Sequence, residues 1–107
     1  MSEQQCLVWR GQEMWEKLGH QSELKMMVME RGPLKVVFIR PNEARTETHE
    51  RDEVYVVTVG TLSLTADGTR HRLNTGDAAL VPAGVEHTFH ELAGDVRLWS
   101  VRSRPAR

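Results

Sequence analysis

Four side chains of the types that bind divalent metals fall within two short segments of the chain. Glu47, His49 and Glu53 lie in the first segment, ETHERDE, and His87 lies in the second. Alternate side chains of a strand share a face, so the first three can point the same way if no bulge intervenes. If the fold brings His87 opposite that face, two imidazoles and two carboxylates converge, and such a donor set suits a divalent ion.

Two aromatic residues follow the candidate ligands at strand spacing. Tyr55 comes two residues after Glu53, and Phe89 comes two residues after His87, so each shares the parity of the ligand before it. The Tyr55 hydroxyl could bind substrate or act as an acid or base, and plain lining of the pocket is the alternative. We therefore name Tyr55 and Phe89 as candidate substrate-binding residues.

The elements that must position these residues are mostly strands. One short helix is predicted over 12–18, where apolar residues share a face and Gly19 follows. Runs of β-forming residues separated by turn signals then recur roughly every eight to twelve residues, a spacing that predicts an all-β sandwich or barrel. We expect Gly60 to end one of these strands. The predicted strands are 24–30, 34–40, 53–59, 61–65, 69–73, 78–81, 87–92 and 96–102.

The candidate ligands lie in two segments that resemble the motifs of the cupin superfamily, G(X)5HXH(X)3,4E(X)6G and G(X)5PXG(X)2H(X)3N. The segment 41–60 resembles the first, with Pro41 in place of the leading glycine and Glu47 in place of the leading histidine. The segment 76–91 resembles the second, with Glu91 in place of asparagine. The resemblance implies a double-stranded β-helix, the jelly-roll or cupin barrel, as a single domain over 1–107 with its core barrel at about 24–102.

The resemblance also implies a metal cofactor. By it, His49, Glu53 and His87 occupy three of the four usual ligand positions for one divalent ion, and Glu47 occupies the fourth. Two glutamates would cancel the charge of that ion, which makes it a weaker Lewis acid. The charge balance favours the harder ions Mn and Fe, and Ni and Zn are the further options.

Each candidate ligand also has a purely structural interpretation. Glu47 could be a solvated charge in a strongly charged segment. His49 could be a polar residue at the end of a strand. Glu53 could pair with Arg45 or Arg51, and His87 could be a hydrogen-bonded core residue. The joint occurrence of these residues at the family spacing favours metal binding over the separate structural interpretations.

Composition limits the partners and the location. A formal net charge of −1 leaves no basic surplus that would attract nucleic acid or anionic lipid. The apolar runs are far shorter than a membrane span, and the first residues lack the pattern of a signal peptide. The single cysteine, Cys6, cannot form an internal disulfide, which agrees with a reducing compartment. We therefore expect a cytoplasmic protein that binds a small molecule and neither nucleic acid nor membrane.

The strand that carries Glu53 is apolar on its other face as well. Val54 and Val56 alternate with the residues that face the candidate site. A strand that is apolar on both faces must be covered on both. We expect the cover to be the N-terminal segment with Trp9 and Trp15, or a second subunit, and we predict a homodimer.

Three functional hypotheses remain open. The first is a metal-dependent enzyme acting on a small oxygen-bearing metabolite, because the resemblance admits dioxygenases, isomerases or epimerases, and lyases. The alternative is a module that binds a small molecule or metal without turnover. The third is a barrel that has lost its metal and acts through its surface. A fold alone does not choose among them, because function resides in the pocket residues.

Overall fold

The strands of the protein form one antiparallel sheet that is closed into a barrel. The computed structural model describes residues 6–19, 24–43 and 46–103. The sheet has the order β1-β2-β7-β4-β5, with β3 added to β7 and β6 added to β4. This architecture confirms the predicted all-β class. The elements within the described ranges are α1 (Gly11–Gly19), β1 (Lys25–Arg31), β2 (Leu34–Ile39), β3 (Thr46–Glu47), β4 (Glu53–Ala66), β5 (Thr69–Leu73), β6 (Ala78–Val81) and β7 (His87–Arg102).

Two long strands organise the sheet. β4 has 14 residues and β7 has 16, and they pair from Glu53 opposite Arg102 to Ala66 opposite His87. β6 pairs with the first half of β4, and β5 pairs with its second half. The first residue of β7, His87, is also opposite Glu47 of β3. The start of β7 is therefore held from both sides.

The prediction that Gly60 ends a strand is wrong, because β4 continues through it. Gly60 has a φ of 83°, a conformation that glycine adopts without steric cost. The register with β7 shifts between Val57 and Ser63. Buried positions accordingly change from odd numbers, as at Tyr55 and Val57, to even numbers, as at Leu62. The two strands predicted over 53–59 and 61–65 are one bulged strand.

β7 departs from prediction in the same way. The strands predicted over 87–92 and 96–102 are continuous. Glu91 and Gly94 have positive φ angles of 55° and 85°, and both lie in the stretch where pairing with β4 is irregular. His87 is buried before this irregular stretch and Val96 after it, so the inward parity again changes. A bulge absorbs the residues that the sequence suggested as a turn.

Apolar side chains fill the interior of the barrel. Of the four buried polar residues that the structure describes, Ser63 bonds to Arg72 and Glu91 on the outer face. The other three, Glu53, His87 and Ser100, are as fully buried as the apolar core, with exposures of 1%, 2% and 0%. Buried polar groups need partners, so these three mark the part of the interior where chemistry can occur. The buried apolar core comprises Val37, Ile39, Tyr55, Val57, Leu62, Leu64, Leu73, Val81, Phe89, Val96 and Leu98.

The N-terminal helix covers part of the outer face of the sheet. Met14 and Leu18 of α1 are buried against Phe38 of β2, and Trp15 and Trp99 pack around them. The helix thus covers the outer face around Phe38, but this cluster does not include Val54 or Val56, whose cover stays a prediction. The described part of the chain contains no helix with the length and apolar character needed to cross a membrane.

A polar cluster lies on another part of the outer face, between β4, β5 and β7. Ser63 donates a hydrogen bond of 2.6 Å to Glu91, which also pairs with Arg70. Arg72 donates to Thr61, to Ser63 and to the carbonyl oxygen of Glu91. The hydrogen bond from Ser63, together with Arg70, holds the pKa of Glu91 below its usual range. These side chains satisfy one another.

Candidate metal centre

Strand pairing brings the candidate ligands together from four places in the chain. Glu47 ends β3, His49 lies in the following loop, Glu53 begins β4 and His87 begins β7. The antiparallel pairing of β3 with β7 sets Glu47 directly opposite His87. The charged segment that precedes β4 thus wraps over the start of β7.

Glu47, His49 and His87 form a compact group. One potential ligand atom from each lies within 4.8 Å of the others. Oε1 of Glu47 is 3.8 Å from Nε2 of His49, and the ring centroids of the two histidines are 5.2 Å apart. A divalent ion bonded to nitrogen and oxygen at roughly 2 Å fits between donors at such separations.

Glu53 borders this group through one oxygen and is held by the other. Its Oε1 lies 3.1 Å from Nε2 of His49. Its Oε2 accepts hydrogen bonds of 2.9 Å from Ser100 and from Nε of Arg102. The sequence suggested Arg45 or Arg51 as the partner of Glu53. The structure pairs Glu53 with Arg102 instead, and Arg45 lies outside the described residues. The pairing with Arg102 fixes the carboxylate so that Oε1 faces His49.

His87 has a hydrogen-bond pattern that orients its ring. Nδ1 lies 3.0 Å from the carbonyl oxygen of Val85, which can only accept, so Nδ1 carries the proton. The lone pair of Nε2 then faces the interior, 3.0 Å from the Tyr55 hydroxyl, and a metal can take this lone pair when the hydroxyl donates its proton to Glu53 instead. A backbone carbonyl that fixes the tautomer of a histidine is a common support for a metal ligand.

Tyr55 and Phe89 form the floor beneath the histidines. Their rings meet edge to face at 5.0 Å, and both side chains are buried. Burial, and after it the negative charge of Glu53, raises the pKa of Tyr55 far above its usual value, so the hydroxyl keeps its proton. Their role as substrate-binding residues stays a prediction.

Two buried atoms of the site lack hydrogen bonds. Nε2 of His49 and Oε1 of Glu53 are both inaccessible to solvent, and although they are 3.1 Å apart the angles between them do not suit a hydrogen bond. Burial lowers the pKa of His49, while Glu53 opposes this effect. A neutral imidazole nitrogen and a carboxylate oxygen that face each other both offer lone pairs. A cation between them would satisfy both, so the residues present fit a divalent metal.

Two basic side chains surround the acidic ligands, and sequence reasoning missed them. Nζ of Lys25 lies 3.2 Å from Oε2 of Glu47, and Arg102 pairs with Glu53. Neither belongs to a local motif, since β1 and the end of β7 are distant in sequence from the ligands. The positive charges of Lys25 and Arg102 offset the negative charges of Glu47 and Glu53. Counting only the charges of the candidate ligands therefore overstates the negative charge around the ion.

A cavity of about 270 Å³ opens beside these groups. His49, Glu53 and Arg102 contribute to its wall on the side of the candidate ligands. The remaining lining comes from the charged loop that precedes β4, residues 48, 50 and 51. A small metabolite could therefore reach His49 and Arg102 at the same time.

Three comparisons place the chain among known proteins. A protein of Streptomyces coelicolor, itself described as uncharacterized, is 39% identical over 57 residues, which are 53% of this chain and 54% of that protein. The chain thus spans about half the length of this curated relative. The structure of KdgF from Halomonas superposes with a TM-score of 0.67 at 25% identity, covering 78% of each chain. A cupin-2 domain protein from Shewanella frigidimarina gives a TM-score of 0.74 at 21% identity, covering 91% of this chain and 95% of that one.

The family assignment rests on the sequence and the fold together. The profile of the cupin domain, Cupin_2, matches residues 35–101, which is more than half of the chain. These residues extend from β2 to near the end of β7 and include all four candidate ligands. The chain is therefore a member of the cupin domain family.

Proposed function

We propose that this cupin binds one divalent metal ion and acts as an enzyme on a small oxygen-bearing metabolite. The observation that carries the proposal is the buried, unbonded pair of Nε2 of His49 and Oε1 of Glu53, next to Glu47 and His87. Leaving two such groups unsatisfied in the interior is costly, and a cation between them removes the cost. The glutamates favour Mn or Fe, with Ni or Zn as further options.

The residues around the ion have distinct roles in this proposal. Glu47, His49 and His87 would hold the metal, with Oε1 of Glu53 as a fourth donor. The bound ion would supply a Lewis acid that polarises a substrate oxygen. Tyr55 keeps a proton next to His87, and the buried floor around it excludes water from that side of the site. A dioxygenase, an isomerase or epimerase, and a lyase all remain compatible with this set.

Metal content is the test of the metal centre. Protein purified without chelator is expected to contain nearly one equivalent of Mn, Fe, Ni or Zn by elemental mass spectrometry. His49→Ala and His87→Ala are expected to bind metal at least about a hundredfold more weakly, because even the loss of a residue that only hydrogen-bonds to a ligand lowers metal affinity by about ten- to a hundredfold. His71→Ala, an exposed change on β5, is the matched control and should retain the metal.

The same experiment separates the alternatives. Glu47→Gln should lower the metal content if the Glu47 carboxylate is a ligand. If Glu47 only pairs with Lys25, the metal content should not change. A wild-type protein that is metal-free and refuses metal on titration would contradict the proposal. Tight metal and ligand binding without product would favour the non-catalytic module.

We also propose that the protein is a homodimer formed through the outer face of the sheet. Strand pairing aligns Leu80, Val54, Val101, Val36 and Met29 in one row across β6, β4, β7, β2 and β1. Leu80 is 62% exposed, the others are half-buried, and the apolar cluster around α1 does not include them. The row is self-complementary in chemistry, so a second copy is the partner that we propose. A cytoplasmic location stays a prediction from the single cysteine.

A charge in this row should separate the subunits. Leu80→Lys is expected to shift the mass in solution from about twice 12.2 kDa to 12.2 kDa, measured by light scattering after size exclusion. Burial of an unpaired ammonium at an apolar interface is strongly unfavourable. Thr69→Lys, on an exposed position of β5, is the control and should not alter the mass. A wild-type monomer at all concentrations would contradict the dimer.

A further inference from the structure

We propose that the 270 Å³ cavity binds the carboxylate group of a small organic acid, and that Arg102 is the residue that recognises it. The inference rests on the proposed metal centre in one respect only, since the ion would take a second oxygen of the same acid.

The guanidinium of Arg102 is fixed and incompletely used. Its Nε donates to Oε2 of Glu53 at 2.9 Å, and the side chain is only 14% exposed. Its Nη2 is buried and has no hydrogen-bond partner. An unpaired buried donor on a charged group is costly, so a polar partner is missing from this position. Arg102 lines the cavity, so a ligand there lies beside the guanidinium and reaches Nη2 once the side chains that cover this atom shift aside.

A carboxylate is the group that suits this unpaired donor best. The planar guanidinium presents its remaining donors in a fixed fork, and charge-assisted bonds to a carboxylate are about twice as strong as neutral ones. The Glu53 carboxylate already accepts from Ser100 at the same oxygen, Oε2, that pairs with Arg102, and its other oxygen faces His49. Glu53 is the first carboxylate that the Arg102 guanidinium binds. The carboxylate of the ligand would be the second.

The position of Arg102 relative to the ligands sets the shape of the acid. Arg102 and His49 line the same cavity, and Glu53 contacts both of them. An acid with a hydroxyl or keto oxygen next to its carboxylate could reach Arg102 with one group and the ion beside His49 with the other. A cavity of about 270 Å³ suits an acid of only a few carbon atoms.

The other arginine-lined cavity provides a contrast. The outer polar cluster encloses about 570 Å³ between Ser63, Arg70, Arg72 and Glu91. There both arginines already pair with Glu91 or its backbone, so the anion is part of the protein itself. Arg102 differs because one of its buried donors has no such internal partner.

Calorimetric titration with a matched pair of probes tests the proposal. Lactate and lactamide differ in charge but hardly in size, and both are titrated into metal-free and Mn-loaded protein. We expect lactate to bind about ten- to a hundredfold more tightly than lactamide in the wild type, the range for one charged hydrogen-bonded contact. Arg102→Lys should abolish most of this preference, because lysine lacks the fork. Arg72→Lys, in the outer polar cluster, should preserve it.

The outcomes separate this inference from the metal centre. Equal binding of lactate and lactamide to the wild type overturns the carboxylate site, even if the protein holds its metal. A preference for lactate that survives Arg102→Lys also overturns the assignment to Arg102. A preference that depends on Arg102 in a protein that takes up no metal supports the carboxylate site and overturns the metal centre. Because the probe pair needs no variant, the wild type decides the first question even if Arg102→Lys folds poorly.

Discussion

Replacing Gly60 with alanine is expected to lower the free energy of unfolding by about 3 kcal/mol, the sum of two costs. Gly60 has a φ of 83°, where an L-residue is strained by roughly 1–2 kcal/mol. A Cβ at this position would also lie 2.9 Å from the carbonyl oxygen of Ala93 and 3.2 Å from Cα of Val96. These are backbone atoms of β7, so the two long strands would have to separate. Urea unfolding followed by circular dichroism measures the loss.

Gly68 supplies the control for this prediction. Its φ is 78°, but a Cβ there would meet no atom within 4 Å. Gly68→Ala should therefore cost only the conformational strain, roughly 1–2 kcal/mol. Equal losses in the two variants would show that β4 and β7 yield easily at Gly60, contrary to their close packing.

Replacing Glu53 with leucine is expected to cost about 3 kcal/mol in protein kept free of metal by a chelator. Glu53 is 1% exposed and accepts hydrogen bonds from Ser100 and Arg102. Leucine has a similar size but no acceptor, so the mostly buried guanidinium loses its counter-charge. Breaking one side of a buried pair is more harmful than removing both. Thermal and urea unfolding of the metal-free proteins provide the measurement.

A double-variant cycle tests the origin of that loss. The combination of Glu53→Leu with Arg102→Leu should recover most of the stability that Glu53→Leu removes, because no unpaired charge remains. Arg102→Leu alone should be destabilising, since it leaves the Glu53 carboxylate without its arginine. If the two single losses simply add in the double variant, the Glu53–Arg102 pair does not contribute in solution.

The part of the candidate site that could be predicted is the part encoded by local spacing. Glu47, His49 and Glu53 are close in sequence, which is enough to keep their side chains near one another. They do not share a face of one strand as strand parity predicted, because a loop that carries His49 separates β3 from β4. His87 was added through the second motif, and the pairing of β3 with β7 brings it opposite Glu47. The existence of the strands followed from their composition and from the turn signals between them.

The part that could not be predicted depends on pairing between distant segments. Lys25 and Arg102 reach the carboxylates only because the start of β1 and the end of β7 lie beside the charged loop. Neither residue carries a local signal for that role. The continuity of β4 was missed because Gly60 marks a turn in most sequences, whereas here its positive φ accommodates a bulge within a strand.

The pairing of β4 with β7 also has a kinetic consequence. Glu53 and Arg102 are 49 residues apart in the chain. Pairing β4 with β7 therefore costs the entropy of closing a long loop before the contacts between the strands stabilise it. Proteins dominated by such distant pairings fold in milliseconds to seconds, far more slowly than helical bundles. The hairpin of β4 and β5, closed by Asp67 and Gly68, can form early from local contacts. The candidate metal centre cannot form early, because His87 arrives only when β7 docks, so the candidate ligands meet at the end of folding.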